Sequence, residues 1–538
     1  VKSILGRIAT GAAAVLCAAA IYTTYSPSAS AENGLPFDDL ASSYAKNEII
    51  DLYNKKIITG TSEGTFSPQG LVSRAELVTI LGRLLKLEPV NSPISPFTDV
   101  GRNAWYYGWI QAAVQLELAG GTSERTFAPA QPVTRQEAAA LLARAFKQTG
   151  NAADMQAVFR DSGTIATWAG GAVAAVSSLG LMKGDQTGAF RPAAPITRQE
   201  TAVLIYRVLQ QQDWVAELER GKNPRIVMGW QYGQTEAQYQ NSILISNVNT
   251  LSPRWYFVGS TGTVSDSTVA SSVTWAKNNN KKIWPMVGNR FDQAATHQLL
   301  SSTAARTAAV NQLAALVGKY DLDGLNLDFE NVAAADKAAL TAFVTQLAGK
   351  LHALGAVLSV DVSPDLGTDW TEAFDYAALG KQADYVVMMG YDEHYGGSPS
   401  PGSNASLPYV RQAVGKLLQA VPASKVILAM PLYTRDWTLK QGSVPASSVE
   451  LSLAEQNQRV SSYGLRPVWN STLGQYVVSY TGQLKHTIWL EEGRSLTAKL
   501  NLAARQKLAG IAYWHIGGES PDIWTSISNA ERYAGYSF

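Results

Sequence analysis

The stretch Asp323-Gly324-Leu325-Asn326-Leu327-Asp328-Phe329-Glu330 decides how the C-terminal half of the chain is read. It has the period-2 alternation of a β-strand. Asn326, Asp328 and Glu330 fall on one side, Leu327 and Phe329 on the other. A strand core does not normally hold two carboxylates and an amide in line. Carboxylates two residues apart on a strand repel, which raises one pKa and would keep Glu330 protonated as a general acid. A capped loop or a buried polar network is the alternative reading.

Around this stretch, β-rich runs alternate with helical ones. Strands are expected at 226–230, at 241–247 or nearby, and at 282–286, 324–329, 356–360, 385–389, 426–430 and 511–514. Helices are expected at 305–317, 334–348 and 496–507. Eight strands with intervening helices predict an α/β (β/α)₈ TIM barrel over 225–538, with a doubly wound sheet as the runner-up. The segment from about 438 to 488 does not fit a βα unit and reads as a small β-rich insertion walling a cleft.

Barrel chemistry sits at the C-terminal strand ends. Two further ends stand out: Met389-Gly390-Tyr391-Asp392-Glu393-His394 and Tyr513-Trp514-His515. A retaining acid–nucleophile pair needs its carboxyls across the sugar, about 5 Å apart. Neighbours on one strand are poorly placed for that. A substrate-assisted route fits better: the substrate's N-acetyl oxygen attacks C1, Asp328 holds the amide and Glu330 protonates the leaving group. Tyr391 is placed to hydrogen-bond that oxygen, and Trp514 to floor the ring. Trp230, Tyr433 and Arg435 are taken as further substrate contacts. No cofactor or metal is called for.

Asp-Gly-x-x-x-Asp-x-Glu at 323–330, Met389-x-Tyr391-Asp392 and the late Trp514 resemble the signature of glycoside hydrolase family 18, the chitinase-like family, over about 225–538. That likeness implies Glu330 as proton donor, Asp328 as the residue positioning the N-acetyl group, Tyr391 and Asp392 as an accessory pair, and retained configuration. Asp323, Asn326 and Met389 belong to the matching motifs. Chitinases of the family usually carry Asp where this chain has Asn326. The Asn-Leu-Asp-Phe-Glu-Asn form looks more like the spore-cortex and peptidoglycan-directed branch. Chitin, chitooligosaccharides and peptidoglycan all stay open as substrates. A catalytically silent glycan-binding protein on the same barrel is the alternative.

The N-terminal half repeats with a period of about 60 residues. Phe37-x-Asp39, Phe97-x-Asp99 and Phe159-x-Asp161 open the units. An aromatic follows at Tyr44, Trp105 and Trp168, then Gly60, Gly121 and Gly184, then Phe66, Phe127 and Phe190. Ser73-Arg74-Ala75-Glu76, Thr134-Arg135-Gln136-Glu137 and Thr197-Arg198-Gln199-Glu200 read as capping boxes opening helices. In the second unit Gly121 reads as the end of the preceding helix. Arginine in a first helical turn opposes the helix dipole. Three of them there suggest an anionic ligand at a helix start, or else surface or interdomain salt bridges.

The repeats resemble S-layer homology (SLH) modules at 35–95, 96–157 and 158–208. The resemblance implies an all-α pseudo-threefold unit binding pyruvylated, anionic secondary cell-wall polysaccharide through Arg74, Arg135, Arg198, Trp105 and Trp168. A polar, helix-prone linker over 209–224 follows.

Composition sets outer bounds. The 538 residues are 46% hydrophobic and 16% charged, with net charge +1 and no basic block, so a nucleic-acid partner lacks electrostatic support. Lys2, Arg7, an apolar run and Ala29-Ser30-Ala31 read as a signal peptide over 1–31, which contains the only cysteine, Cys17. A secreted protein held non-covalently on the bacterial wall or S-layer is therefore expected, with no membrane span after signal removal.

Overall fold

Three helix pairs build the N-terminal region: α1 (Lys46–Asn54) with α2 (Arg74–Leu84), α3 (Tyr107–Gln115) with α4 (Arg135–Ala145), and α5 (Gly170–Ser178) with α6 (Arg198–Leu209). This computed structural model describes residues 36–155, 158–220, 225–367, 371–440 and 445–538. The expected signal segment 1–31 and the end of the linker at 221–224 lie outside them. Among the described residues, no helix is long and apolar enough to cross a membrane.

The capping boxes form at all three predicted places, with Ser73, Thr134 and Thr197 each accepting from the N3 backbone. Such a cap stabilises a helix by about 1 kcal/mol. Just before each cap the chain meets its two counterparts. Val72 N–H donates to Ile196 O, Ile196 N–H to Val133 O, and Val133 N–H to Val72 O, at 2.9–3.0 Å. This closed triad of buried residues is the pseudo-threefold axis. Asp39, Asp99 and Asp161 each accept from two backbone N–H groups of the loop that begins Phe66-Ser67-Pro68, Phe127-Ala128-Pro129 or Phe190-Arg191-Pro192. They hold Ser67, Ala128 and Arg191 in the left-handed region.

Gly121 does not end α3 as expected. The helix stops at Gln115, and left-handed Glu117 turns the chain. A Cβ on Gly121 would meet Ser123 O at 2.3 Å and the Phe97 ring at 2.6 Å, so glycine is there for close approach of the loop.

The barrel strands are β1 (Ile226–Gln231), β2 (Thr250–Pro253), β3 in two pieces (Lys282–Ile283 and Met286–Gly288), β4 (Gly324–Asp328), β5 (Val357–Val362), β6 (Tyr385–Met389), β7 (Val426–Pro431) and β8 (Gly510–Ile516). All neighbouring pairs are parallel, and β1 pairs with both β2 and β8. The first piece of β3 pairs with β2 and the second with β4, which completes the circuit. Pro285 splits β3 because it has no N–H for the ladder.

The strand expected at 241–247 is instead part of a helix, Glu236–Ile245, opened by a Thr235/Gln238 capping box. The true second strand is the short, polar Thr250–Pro253. The β-rich insertion is a five-stranded antiparallel sheet beginning at Tyr433, earlier than 438. Its small separate core includes Ile94, from the segment joining the first two repeats.

Repeats and barrel share a packed interface. Helix Gln212–Glu219 (α7) sets Trp214 flat against Phe146, centroids 4.5 Å apart, with Phe538 edge-on to both. From the last helix (Ile523–Gly535), Asn529 exchanges two hydrogen bonds with the backbone of Glu88, at 2.8 and 2.7 Å. Tyr533 and Tyr536 hydroxyls donate to Arg144 O and Leu85 O.

Candidate active site

β4 carries Asn326, Asp328 and, two residues past its end, Glu330 into the barrel mouth. Asn326 is fully buried with its amide fully used. Its Oδ1 accepts from Trp230 Nε1 (2.7 Å) and Ser252 Oγ (3.3 Å). Its Nδ2 donates to Asp361 Oδ1 (2.6 Å) and Ser359 Oγ (3.0 Å). An amide, unlike a carboxylate, can donate to Asp361 without borrowing a proton.

Asp328 is buried, and its Oδ1 has no hydrogen-bond partner among the described residues. Burial pushes its carboxyl well above the ordinary range and the Glu330 charge pushes further, while Arg254 opposes both. Glu330 is raised by burial and then by Asp392, again against Arg254. Its backbone is clamped by Asn289, whose Oδ1 accepts from Glu330 N–H (3.1 Å) and whose Nδ2 donates to Glu330 O (2.7 Å). Asp361 is raised by burial and by Asp328.

A cavity of about 240 Å³ opens beside Glu330, between Ser363, Met389, Tyr391, Asp392, Tyr395 and Tyr409. Asp392 sits in the left-handed region at φ 59°, and its Oδ1 accepts from Tyr433 Oη at 2.6 Å. Burial raises Asp392, and the Tyr433 hydrogen bond and Arg435 oppose the rise. Arg435 pairs with Glu450 at 3.0 Å. Trp514, half-buried and joined to His515 by a cis peptide, lies against Trp230 and Tyr232 with centroids 5.9 and 5.5 Å away.

The structure thus gathers Glu330, Asp328, Asn326, Tyr391, Asp392, Met389, Tyr433, Arg435 and Trp514 around one mouth. Two expected residues sit elsewhere. Trp230 is only 1% exposed and backs Asn326, so its indole offers no open face to a sugar. Asp323 lies at the opposite end of β4, where its carboxylate accepts from Ile283 N–H (3.0 Å) and pairs with Lys282 (2.7 Å). It aligns β3 on β4 and does not face the mouth. Asp361 and Asn289 went unread in the sequence. The alternation Ser359-Val360-Asp361 was the available signal for the first.

Among the repeats, each helix-start arginine reaches into the next unit. Arg74 Nε donates to Phe127 O, Arg135 Nε to Phe190 O and Arg198 Nε to Phe66 O. Each also faces the capping glutamate of its neighbour: Glu137 at 3.9 Å, Glu200 at 3.8 Å and Glu76 at 2.8 Å. These bonds tie the three units in a ring, so inter-unit salt bridges are present. The arginines still border grooves: Arg198 with Arg83 and Trp105, and Arg135 with Lys183, Arg207 and Tyr44. Tyr44, Trp105 and Trp168 are open to solvent.

Comparison with known proteins agrees with this architecture. S-layer homology domain profiles match residues 36–78, 96–139 and 158–202. The uncharacterized glycosylase YvbX of Bacillus subtilis is 29% identical over 320 residues, covering 57% of this chain and 92% of that protein. The cortical fragment-lytic enzyme of the same organism is 28% identical over 266 residues, 46% of this chain and 60% of that one. A chitinase structure from Chromobacterium violaceum superposes with a TM-score of 0.53 at 23% identity, over 57% of this chain and 99% of its own. The profile of Glycosyl hydrolases family 18 matches residues 232–519, and the chain belongs to that family.

Proposed function

We propose that the barrel cleaves β-1,4 bonds beside N-acetylglucosamine in chitin-like glycans or peptidoglycan, by the substrate-assisted route and with retained configuration. The observation that carries this reading is the buried Oδ1 of Asp328, directly below Glu330 and without a partner among the described residues. A substrate acetamido N–H would give that oxygen its donor and aim the acetyl oxygen at C1. Glu330, whose pKa burial and Asp392 raise, supplies the leaving-group proton. Tyr391, buried at the mouth, donates to the acetyl oxygen. The names of its relatives, a chitinase and a cortical fragment-lytic enzyme, fit this substrate class.

Digesting purified peptidoglycan and colloidal chitin side by side, with mass spectrometry of the products, tests it. Reducing-end N-acetylglucosamine products from one or both are expected. Glycan binding without any release would overturn the reading in favour of a silent lectin.

The route also fixes a pH effect. Asp392 raises the pKa of Glu330, and activity needs Glu330 protonated, so the alkaline limb of kcat/KM reports that group. Asp392→Asn removes the charge while leaving an acceptor for Tyr433. The alkaline limb should move to lower pH. A limb that stays or rises would separate Glu330 from the proton-donor role.

For the repeats, we infer that the ring binds an anionic, pyruvylated wall polysaccharide in the grooves bordered by Arg135 and Arg198, holding the enzyme at the cell surface. Arg135→Ala and Arg198→Ala should weaken co-sedimentation with sacculi that retain their polysaccharide by about 10-fold, the size of one lost charge-assisted contact. Arg135 is the cleaner test because its side chain is the most exposed of the three. Unchanged sedimentation by a folded Arg135→Ala protein would reject the role.

A further inference from the structure

We propose that Arg254 makes the cleft selective for glycans that carry a carboxylate on the sugar adjoining the cleaved N-acetylglucosamine. Such a carboxylate is the lactyl group of muramic acid, and an uncharged chitin chain is then the poorer substrate. This selectivity presupposes that the barrel is an N-acetylglucosamine-directed hydrolase.

Arg254 follows β2, across the acid pair from the cavity lined by Tyr391 and Asp392. Its guanidinium lies 4.9 Å from the centroid of Tyr232 and 5.5 Å from that of Phe257. Its Nε is buried with no hydrogen-bond partner among the described residues. No described carboxylate stands within ion-pair distance of it, although its charge is felt by both Asp328 and Glu330. Guanidinium groups removed from water normally have their donors satisfied. Here the aromatic rings support a partly buried group whose Nε lacks an acceptor among the described residues.

Arg290 adds a second cation to the same wall, 4.1 Å from the Phe257 centroid. Tyr232 and Phe291 beside them are about half exposed, and Tyr232 packs on Trp514, the floor of the mouth. One wall of the mouth therefore carries paired guanidiniums and open rings. The facing wall carries Tyr391, Asp392, Glu393 and Tyr395, with Arg435 already engaged by Glu450. A sugar chain lying across the acid pair would meet guanidiniums without a carboxylate partner on the Arg254 side, whereas the cation on the facing side, Arg435, is paired with Glu450. A planar guanidinium fixed by ring faces offers its edge as a two-toothed donor, the geometry that a carboxylate fills and a neutral hydroxyl fills less well.

The competing role for Arg254 is tuning of the acid pair alone. That would shift the pH profile on every substrate alike, whereas carboxylate recognition changes a ratio between substrates. The full chain is assayed on a muramic-acid-containing oligosaccharide with its lactyl carboxyl free, and on the same compound as methyl ester. The wild type should favour the free acid by about 10-fold in kcat/KM, the usual weight of one charge-assisted contact. Arg254→Gln should bring that ratio close to one, and Arg254→Lys should retain part of it. An equal loss on acid and ester, or no wild-type preference, overturns the proposal. Calorimetric titration of the two compounds into Glu330→Gln, with and without Arg254→Gln, reads the same preference without turnover. If the wild type cleaves neither compound, the hydrolase reading fails, and the binding ratio still decides whether Arg254 recognises the carboxylate.

Discussion

Glu330→Gln should lower turnover by about 10²- to 10⁴-fold, the range for losing a positioned proton donor, while the protein stays folded. Gln fills the same space. The clamp from Asn289 holds the backbone of residue 330, so it survives the change. What disappears is a titratable proton, and with it a charge that pushes up the pKa of Asp328. The stability sign follows. A buried acid whose folded pKa lies above its unfolded value favours the unfolded state once pH exceeds the unfolded value. Removing Glu330 takes away that penalty and lessens the one on Asp328. Thermal melting near pH 7 should therefore be unchanged or higher in the variant, with the gain vanishing below about pH 4, where unfolded carboxyls are protonated too. Unchanged product release would sink the acid assignment. Lost activity together with a lower melting point at pH 7 would mean that the side chain is structural.

Lys499→Met should cost about 3–5 kcal/mol of stability, the usual result of removing one partner of a buried ion pair. Lys499 and Glu491 are 1% and 0% exposed in their side chains, with Nζ 2.9 and 2.8 Å from the two carboxylate oxygens. Ser495 and Gln475 complete the shell around Glu491. Glu491 lies where the last insertion strand (Lys485–Leu490) hands over to helix Gly493–Arg505, so the pair fastens the insertion to the barrel. Burial already raises Glu491, and losing the ammonium raises it further. The deficit should therefore be small near pH 4 and grow as pH rises above the ordinary glutamate range. Denaturant melts at several pH values read this directly. The double variant Glu491→Gln/Lys499→Met should recover part of the loss, since two neutral partners leave no buried charge. A pH-independent loss would point to packing as the cause.

Sequence alone disclosed the barrel wherever a strand was apolar and long enough to show alternation. It failed at the second strand. Thr250-Leu251-Ser252-Pro253 is short and half polar, whereas Ile243-Leu244-Ile245 nearby looks like strand but continues a capped helix, with Leu244 and Ile245 largely exposed. The polarity that hid the strand has a use, since the Ser252 hydroxyl donates to Asn326. In the site, the acid pair and its accessory residues were read from compact motifs on β4 and β6, and Trp514 from the end of β8. Asp361, Asn289 and Arg254 come from other strand ends, and only closure of the barrel brings them beside the acid pair. The SLH arginines show the limit of local reasoning. The dipole argument found their unusual position, yet their carbonyl partners lie 53, 55 and 132 residues away.

The packed seam between ring and barrel has a consequence for any attached substrate. Trp214, Phe146 and Phe538 interlock there, and Asn529 is bonded twice to Glu88. Under the wall-bound reading, the tether is then closer to a bracket than to a leash. A flexible leash would spread the mouth over a broad shell and give every strand in reach a moderate effective concentration. A bracket concentrates the mouth on strands at one height and heading, and gives the rest almost none. Digestion of an intact wall would then stop once those strands were cut, with uncut glycan still close by, while freely diffusing oligosaccharides went to completion.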